Sequence, residues 1–169
     1  MSVAFVNGRV LTDSGLEEGL TVVTGSAHIA SVGRRGVTRA KPREKVDLEG
    51  KLLLPGFIDT QVNGGGGVLF NDAPTVESID AIGRTHRQFG TTAFLPTLVS
   101  DDLQVVADAL SATRDAIASK VPGVLGIHIE GPFLNEDRKG VHDASKIRYL
   151  DEDAFRLLTR PTGGKTLLT

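Results

Sequence analysis

The chain has 169 residues, of which 40% are hydrophobic and none is cysteine, and its formal net charge at pH 7 is −2. The absence of cysteine excludes disulfides and thiolate metal ligands, and the near-neutral charge gives no basic face for nucleic acid. The length suits one ordinary domain, whereas a complete eight-stranded α/β barrel needs roughly 200 residues or more. The start lacks the basic and apolar pattern of a signal peptide, and no apolar stretch reaches membrane-span length. We therefore expect a cytoplasmic protein that binds neither membrane nor nucleic acid.

The first part of the chain, residues 1–54, has the pattern of short β-strands. Apolar runs at 3–11, 20–24, 28–32 and 44–54 are separated by turn-forming pairs such as Asn7-Gly8 and Gly25-Ser26. Such breaks between short apolar runs are typical of β-hairpins. We therefore predict a small β domain over residues 1–54.

From Pro55 onwards, predicted strands alternate with predicted helices. Thr75 precedes the first helical pattern as an N-cap candidate, and Asp101 precedes the second. This alternation predicts a parallel α/β fold over residues 55–169. The predicted strands are 56–62, 91–98, 124–130 and a last one from 166, and the predicted helices are 75–89, a second one after Asp101, and 151–158.

The strand 124–130 carries two titratable side chains at its end. Because strand side chains alternate between faces, His128 and Glu130 point to one face and Ile127 and Ile129 to the other. Gly131-Pro132 ends the strand and so places the Glu130 carboxylate at its carboxyl end, where parallel α/β folds keep their sites. From the residues alone, Glu130 is either a functional carboxylate or part of a structural ion pair.

Two blocks of the sequence together resemble a known protein family. The first is HIEGPFLN at 128–135, followed by KGVH at 139–142, and the second is PGFIDTQVNG at 55–64, followed by Gly66-Gly67. Together, and in this order, they resemble the N-terminal portion of N-acetylglucosamine-6-phosphate deacetylases of the amidohydrolase superfamily. The resemblance covers essentially the whole chain.

The resemblance implies a fold and a reaction. Residues 1–54 would be the N-terminal part of a small β-sandwich. Residues 55–169 would be the first strands of a (β/α)8 TIM-type barrel that is incomplete in this chain. The full-length enzyme would hydrolyse the acetamide of N-acetylglucosamine 6-phosphate to glucosamine 6-phosphate and acetate, using a metal-activated water. It would be a homo-oligomer whose only expected partner is the small amino-sugar phosphate.

The resemblance also implies a metal site around Glu130. Glu130 would be a ligand of one divalent metal ion, zinc or iron, and the alternative is a buried structural carboxylate. Gln61 and Asn63 stand where many amidohydrolases carry a His-x-His pair. Since amides are poor metal ligands, we infer one metal rather than two, with both amides in support. The alternative is that these amides only stabilise the glycine-rich loop, residues 64–67, which we expect to need positive φ or close approach to substrate.

The other candidate residues are histidines. Val141 and His142 would contact the substrate, although the family's usual alanine is replaced by Val141, and a solvent-exposed His142 is the alternative. His128 either supports Glu130 or is a satisfied core histidine. His28 and His86 are interpreted as surface residues. The catalytic aspartate and two metal-binding histidines are expected beyond Thr169.

Two other functional interpretations stay open. The chain could come from another amidohydrolase, such as an N-acetylgalactosamine-6-phosphate deacetylase, because loops outside this chain would set sugar selectivity. It could also be a catalytically inactive fragment, which its length favours.

Overall fold

The structure is a computed structural model that describes residues 2–34 and 42–169. It divides into two compact units, Met1–Pro55 and Gly56–Thr169. Among the helices in the described ranges, none has the length and apolar character needed to span a membrane.

The first unit is built from short strands, as the sequence predicts. The strands are β1 Ser2–Val6, β2 Arg9–Thr12, β3 Gly15–Glu17, β4 Leu20–Gly25, β5 His28–Arg34, β6 Glu44–Asp47 and β7 Leu52–Leu53. One sheet has the order β5-β4-β1-β6 and the other the order β3-β2-β7. The predicted strand 3–11 is divided at Asn7, whose φ is 55°, and the predicted strand 44–54 is divided at Glu49, whose φ is 52°. A positive φ breaks a strand because extended backbone needs a negative one.

The second unit contains a four-stranded parallel sheet, which confirms the predicted α/β alternation. The sheet strands are β8 Phe57–Val62, β11 Thr91–Val99, β12 Gly126–Glu130 and β13 Lys165–Leu168. Their order is β13-β12-β11-β8, and all three neighbouring pairs are parallel. A small antiparallel ribbon, β9 Gly64–Gly65 with β10 Val68–Leu69, holds the glycine-rich loop. The helices are α1 Val76–Arg87, α2 Leu103–Ala118 and α3 Glu152–Leu158, and 3-10 turns lie at Glu136–Arg138 and Ala144–Lys146.

The helix N-caps confirm one sequence prediction and correct another. The Thr75 hydroxyl accepts the Ser78 N–H at 3.2 Å, as predicted for α1. Asp101 was predicted to cap α2, but the N-cap is Asp102, whose side chain makes no cap hydrogen bond. Asp101 instead accepts a hydrogen bond from the Asn71 side chain at 3.0 Å. The prediction was wrong because a long-range polar contact competes for that carboxylate.

The core of this unit lies between the sheet and helices α1 and α2. Ile127 and Ile129 are buried on the apolar side of β12, and the Phe94 ring packs beside Gly83 of α1. A Cβ at Gly83 would lie 2.8 Å from that ring, so the helix can approach only because the residue is glycine. Because the four strands of the sheet run parallel, their carboxyl ends lie along one edge of the sheet.

Candidate functional site

Glu130 and Gln61 meet at that edge of the sheet. Glu130 ends β12 and Gln61 lies near the end of β8, with β11 between the two strands. The Gln61 Nε2 donates a hydrogen bond to the Glu130 Oε2 at 2.9 Å. The Glu130 side chain is 22% exposed, so the carboxylate is held by the protein and still open on one side. An oriented, partly open carboxylate can bind a cation or a polar ligand.

His142 lies on the other side of the same carboxylate. Its Nε2 is 3.7 Å from the Glu130 Oε1, a distance within ion-pair range but longer than a hydrogen bond. The imidazole is buried, which excludes the solvent-exposed alternative. Its Nδ1 lies 2.7 Å from the Ser100 Oγ and accepts the Ser100 backbone N–H at 3.3 Å. Val141, its neighbour in the chain, is 97% exposed.

The loop that carries His142 is held by two hydrogen bonds and an ion pair. Lys139 Nζ donates to the His142 carbonyl at 3.0 Å, and the Arg148 N–H donates to the Pro132 carbonyl at 3.0 Å. Lys146 Nζ lies 3.6 Å from the Asp101 carboxylate, at the start of the segment that leads into α2. These contacts hold the loop between β12 and α3 in place.

His128 is surrounded by threonine hydroxyls. The Thr97 Oγ1 lies 3.3 Å from its Nδ1, and the Thr169 Oγ1 lies 2.8 Å from its Nε2. Burial lowers the pKa of His128, and the negative charge of Glu130 opposes that effect only in part. A neutral imidazole with both nitrogens engaged is the arrangement of a satisfied core histidine, which was one of the two interpretations of His128.

The glycine-rich loop follows β8 and carries Asn63 at its start. Gly66 and Gly67 have φ of 65° and 82°, which confirms the expected positive φ. His86, interpreted from sequence as a surface residue, is half-buried, and its Nε2 lies 2.9 Å from the Gly64 carbonyl oxygen. The Nδ2 of Asn63 is buried and has no hydrogen-bond partner among the residues that the structure describes.

Ser100 and Asn71 are site residues that the sequence reasoning missed. Asn71 accepts the Val99 N–H at 3.0 Å and donates to the Val99 carbonyl at 3.1 Å, which fixes the backbone just before Ser100. Burial alone would raise the pKa of Asp101, but Asn71, the Asp102 N–H and Lys146 together lower it. The one available signal was position, because Ser100 directly follows a parallel strand whose carboxyl end borders Glu130.

The described residues do not complete a metal site. Within residues 2–34 and 42–169, no group of three or more His, Cys, Asp or Glu side chains is placed to hold a metal ion. Glu130 suits one ligand position of a divalent metal, while Gln61 and Asn63 offer only amides. In the described residues, the Glu130 carboxylate lies between the amide donor of Gln61 and the imidazole of His142.

Comparisons with known proteins give a consistent set of relatives. No protein-family model matches the chain. It is 45% identical over 132 residues to an N-acetylgalactosamine-6-phosphate deacetylase of Shewanella sp., covering 78% of this chain and 33% of the relative. It is 41% identical over 103 residues to an N-acetylglucosamine-6-phosphate deacetylase of Haemophilus influenzae, covering 61% of this chain and 27% of the relative. The chain thus spans about a third or less of these relatives' length.

A solved structure extends the likeness to the fold. The crystal structure of N-acetylglucosamine-6-phosphate deacetylase from Pasteurella multocida matches with a TM-score of 0.87 at 32% identity, over 94% of this chain and 41% of that one. The predicted fold class is therefore confirmed. The chain has the first strands of the TIM-barrel amidohydrolase fold, with a small β unit before them and a sheet that is open in the described residues.

Proposed function

We propose that this chain, which matches the N-terminal part of N-acetylglucosamine-6-phosphate deacetylases in sequence and fold, is the first part of an amidohydrolase acting on acetylated amino-sugar phosphates. The observation that carries the proposal is the cluster of Gln61, Glu130 and His142. These residues come from the two family-like sequence blocks and meet at the carboxyl ends of the strands. A site at that edge is what a barrel enzyme of this class requires.

The reaction would be hydrolysis of an acetamide. Water adds to the acetyl carbon, the bond from that carbon to nitrogen breaks, and the amine leaves with a proton. A divalent metal held in part by Glu130, zinc or iron, would supply carbonyl polarisation and an activated water. Gln61 would hold the Glu130 carboxylate in one orientation, and His142 would contact the substrate beside it. An aspartate elsewhere in the whole protein would carry the proton to the amine.

Two substrates have support from the relatives. The Haemophilus protein bears the name of a deacetylase for N-acetylglucosamine 6-phosphate, and the Shewanella protein that for N-acetylgalactosamine 6-phosphate. Identity is higher to the second, at 45% against 41%. The two sugars differ in the configuration of one hydroxyl, and selectivity between them resides in side chains that hydrogen-bond that hydroxyl. We propose the glucosamine substrate first, because the Haemophilus protein and the Pasteurella structure both bear that name, and the galactosamine substrate as the second candidate.

Acetate release tests the proposal directly. We expect the protein encoded by the complete reading frame, supplied with zinc or iron, to release acetate from at least one of the two N-acetyl sugar 6-phosphates. The measurement is coupled detection of acetate with each phosphate, and with each unphosphorylated sugar as the control. Absence of acetate from both phosphates, in a folded protein with bound metal, would contradict the proposed function.

A His142→Gln variant separates substrate contact from metal binding. We expect turnover to fall by roughly 100- to 1,000-fold, the usual cost of losing one preorganised donor, while metal content is unchanged. Steady-state kinetics and metal analysis of the same sample check both parts. His28→Gln is the matched control, because His28 is exposed on β5 of the other unit, and it should behave as wild type. Wild-type kinetics in His142→Gln would remove His142 from the site.

A further inference from the structure

Ser100 makes two contacts to a single ring nitrogen of His142. Its side-chain oxygen lies 2.7 Å from the Nδ1, and its backbone N–H donates to the same atom at 3.3 Å. Both residues are buried. We propose that Ser100 is a positioning residue that holds His142 in one orientation and one tautomer, with the proton on Nε2.

The tautomer follows from the chemistry of the two donors. A backbone N–H can only donate, so the Nδ1 that it approaches must carry a lone pair and no proton. The Ser100 hydroxyl can rotate to donate to the same lone pair. A neutral imidazole carries one N–H, and this N–H is therefore on Nε2, the nitrogen that lies 3.7 Å from the Glu130 Oε1. The protein thereby presents a fixed N–H donor beside the carboxylate.

Ser100 is itself held in place by its surroundings. Asn71 engages both the N–H and the carbonyl of Val99, the preceding residue. On the other side, Gly131 leaves room for the hydroxyl, since a Cβ there would lie 2.1 Å from the Ser100 Oγ. This close approach explains why the residue at position 131 of the HIEGPFLN block is glycine. It allows β11 and β12 to bring Ser100 against the loop that carries His142.

The tautomer does not depend on the proposed function, and only its consequence for catalysis rests on that function. If the protein is a deacetylase, the Nε2–H of His142 would contact a substrate oxygen beside Glu130. The imidazole would not first have to rotate or change its tautomer. Loss of the Ser100 hydroxyl should then lower turnover through His142, while Glu130 and Gln61 stay in place.

Nitrogen NMR of the histidine rings tests the tautomer without any activity. We would label the protein with ¹⁵N-histidine and identify the His142 ring from the signals that disappear in His142→Gln. Spectra are recorded over a series of pH values, and the tautomer is assigned from the spectra in which only one of the two ring nitrogens is protonated. In wild type we expect an unprotonated Nδ1 and a protonated Nε2. In Ser100→Ala, which loses the shorter contact, we expect a measurable population of the other tautomer.

The kinetic arm uses matched variants. We expect Ser100→Ala to lower kcat roughly 10- to 100-fold, as for other groups that orient a site residue, and Ser100→Thr, which keeps the hydroxyl, to recover most of the loss. Ser78→Ala is the control, because Ser78 has the same 7% exposure and also loses a hydroxyl contact, yet lies on α1. Circular dichroism verifies that each variant is folded.

The outcomes separate this inference from the proposed function. A protonated Nδ1 in wild type would overturn the inference, and this measurement needs no Ser100 variant. Tautomer populations and kinetics that are unchanged in a folded Ser100→Ala would overturn it as well. If no variant, including wild type, releases acetate, the proposed function fails while the NMR result still decides the role of Ser100.

Discussion

Replacement of Glu130 by glutamine is expected to remove most of the bound metal and to lower acetate release by at least about 100-fold. Glutamine keeps the size of the side chain, and its carbonyl can still accept from Gln61, but the negative charge is lost. Neutral amides are poor metal ligands. Removing outer-shell partners alone costs about 10- to 100-fold in affinity or activity, and loss of a direct ligand should cost at least as much.

The test is metal analysis of purified wild type and Glu130→Gln, with kinetics on the same samples. We expect the wild-type protein to hold one equivalent of metal, because the side chains of Gln61 and Asn63 are amides, which are poor metal ligands. Glu136→Gln is the matched control, since Glu136 lies exposed in the first 3-10 turn of the following loop. Two tightly bound equivalents would contradict a single-metal site, and equal metal content in Glu130→Gln would show that Glu130 is a structural carboxylate.

A second large effect is expected from Phe94→Ala, on stability rather than on chemistry. Phe94 lies on β11, is 2% exposed, and packs in the core beside Gly83 of α1. Truncation of a buried phenylalanine removes its transfer free energy and leaves a cavity, at a cost of about 3–5 kcal/mol. That is a large part of the total stability of a domain, which is usually about 5–15 kcal/mol. Because β11 separates Gln61 from Glu130, the site should lose its geometry as well.

Urea unfolding followed by circular dichroism measures this loss. Phe89→Ala makes the same chemical change at a residue that is 76% exposed, and we expect it to alter the free energy of unfolding by no more than about 0.5 kcal/mol. Equal midpoints for the two variants would mean that the ring of Phe94 does not organise this core. A lower slope for Phe94→Ala would instead indicate a change in the surface exposed on unfolding.

The local elements of this protein were predictable because they depend on nearest neighbours in the chain. The alternation at 127–130 placed two isoleucines in the core and the carboxylate at a strand end. The apolar spacing and Thr75 located α1 to within two residues at each end. The two sequence blocks marked Gln61, Glu130 and His142 as candidates. The two-residue period of a strand and the 3.6-residue period of a helix are local properties of the chain. The position of each element can therefore be predicted without knowledge of any tertiary contact.

Only the tertiary structure decided which of these residues lie together. Gln61 and Glu130 are 69 residues apart and Ser100 and His142 are 42 apart, and no local rule connects them. Their meeting depends on the order of four parallel strands and on a loop held by Lys146 and Arg148. Other long-range contacts pair Asp101 with Asn71, so that it does not cap the start of α2, and place His128 between the hydroxyls of Thr97 and Thr169. Polar side chains form hydrogen bonds and ion pairs with groups that are close in space, and the folded sheet determines which groups are close.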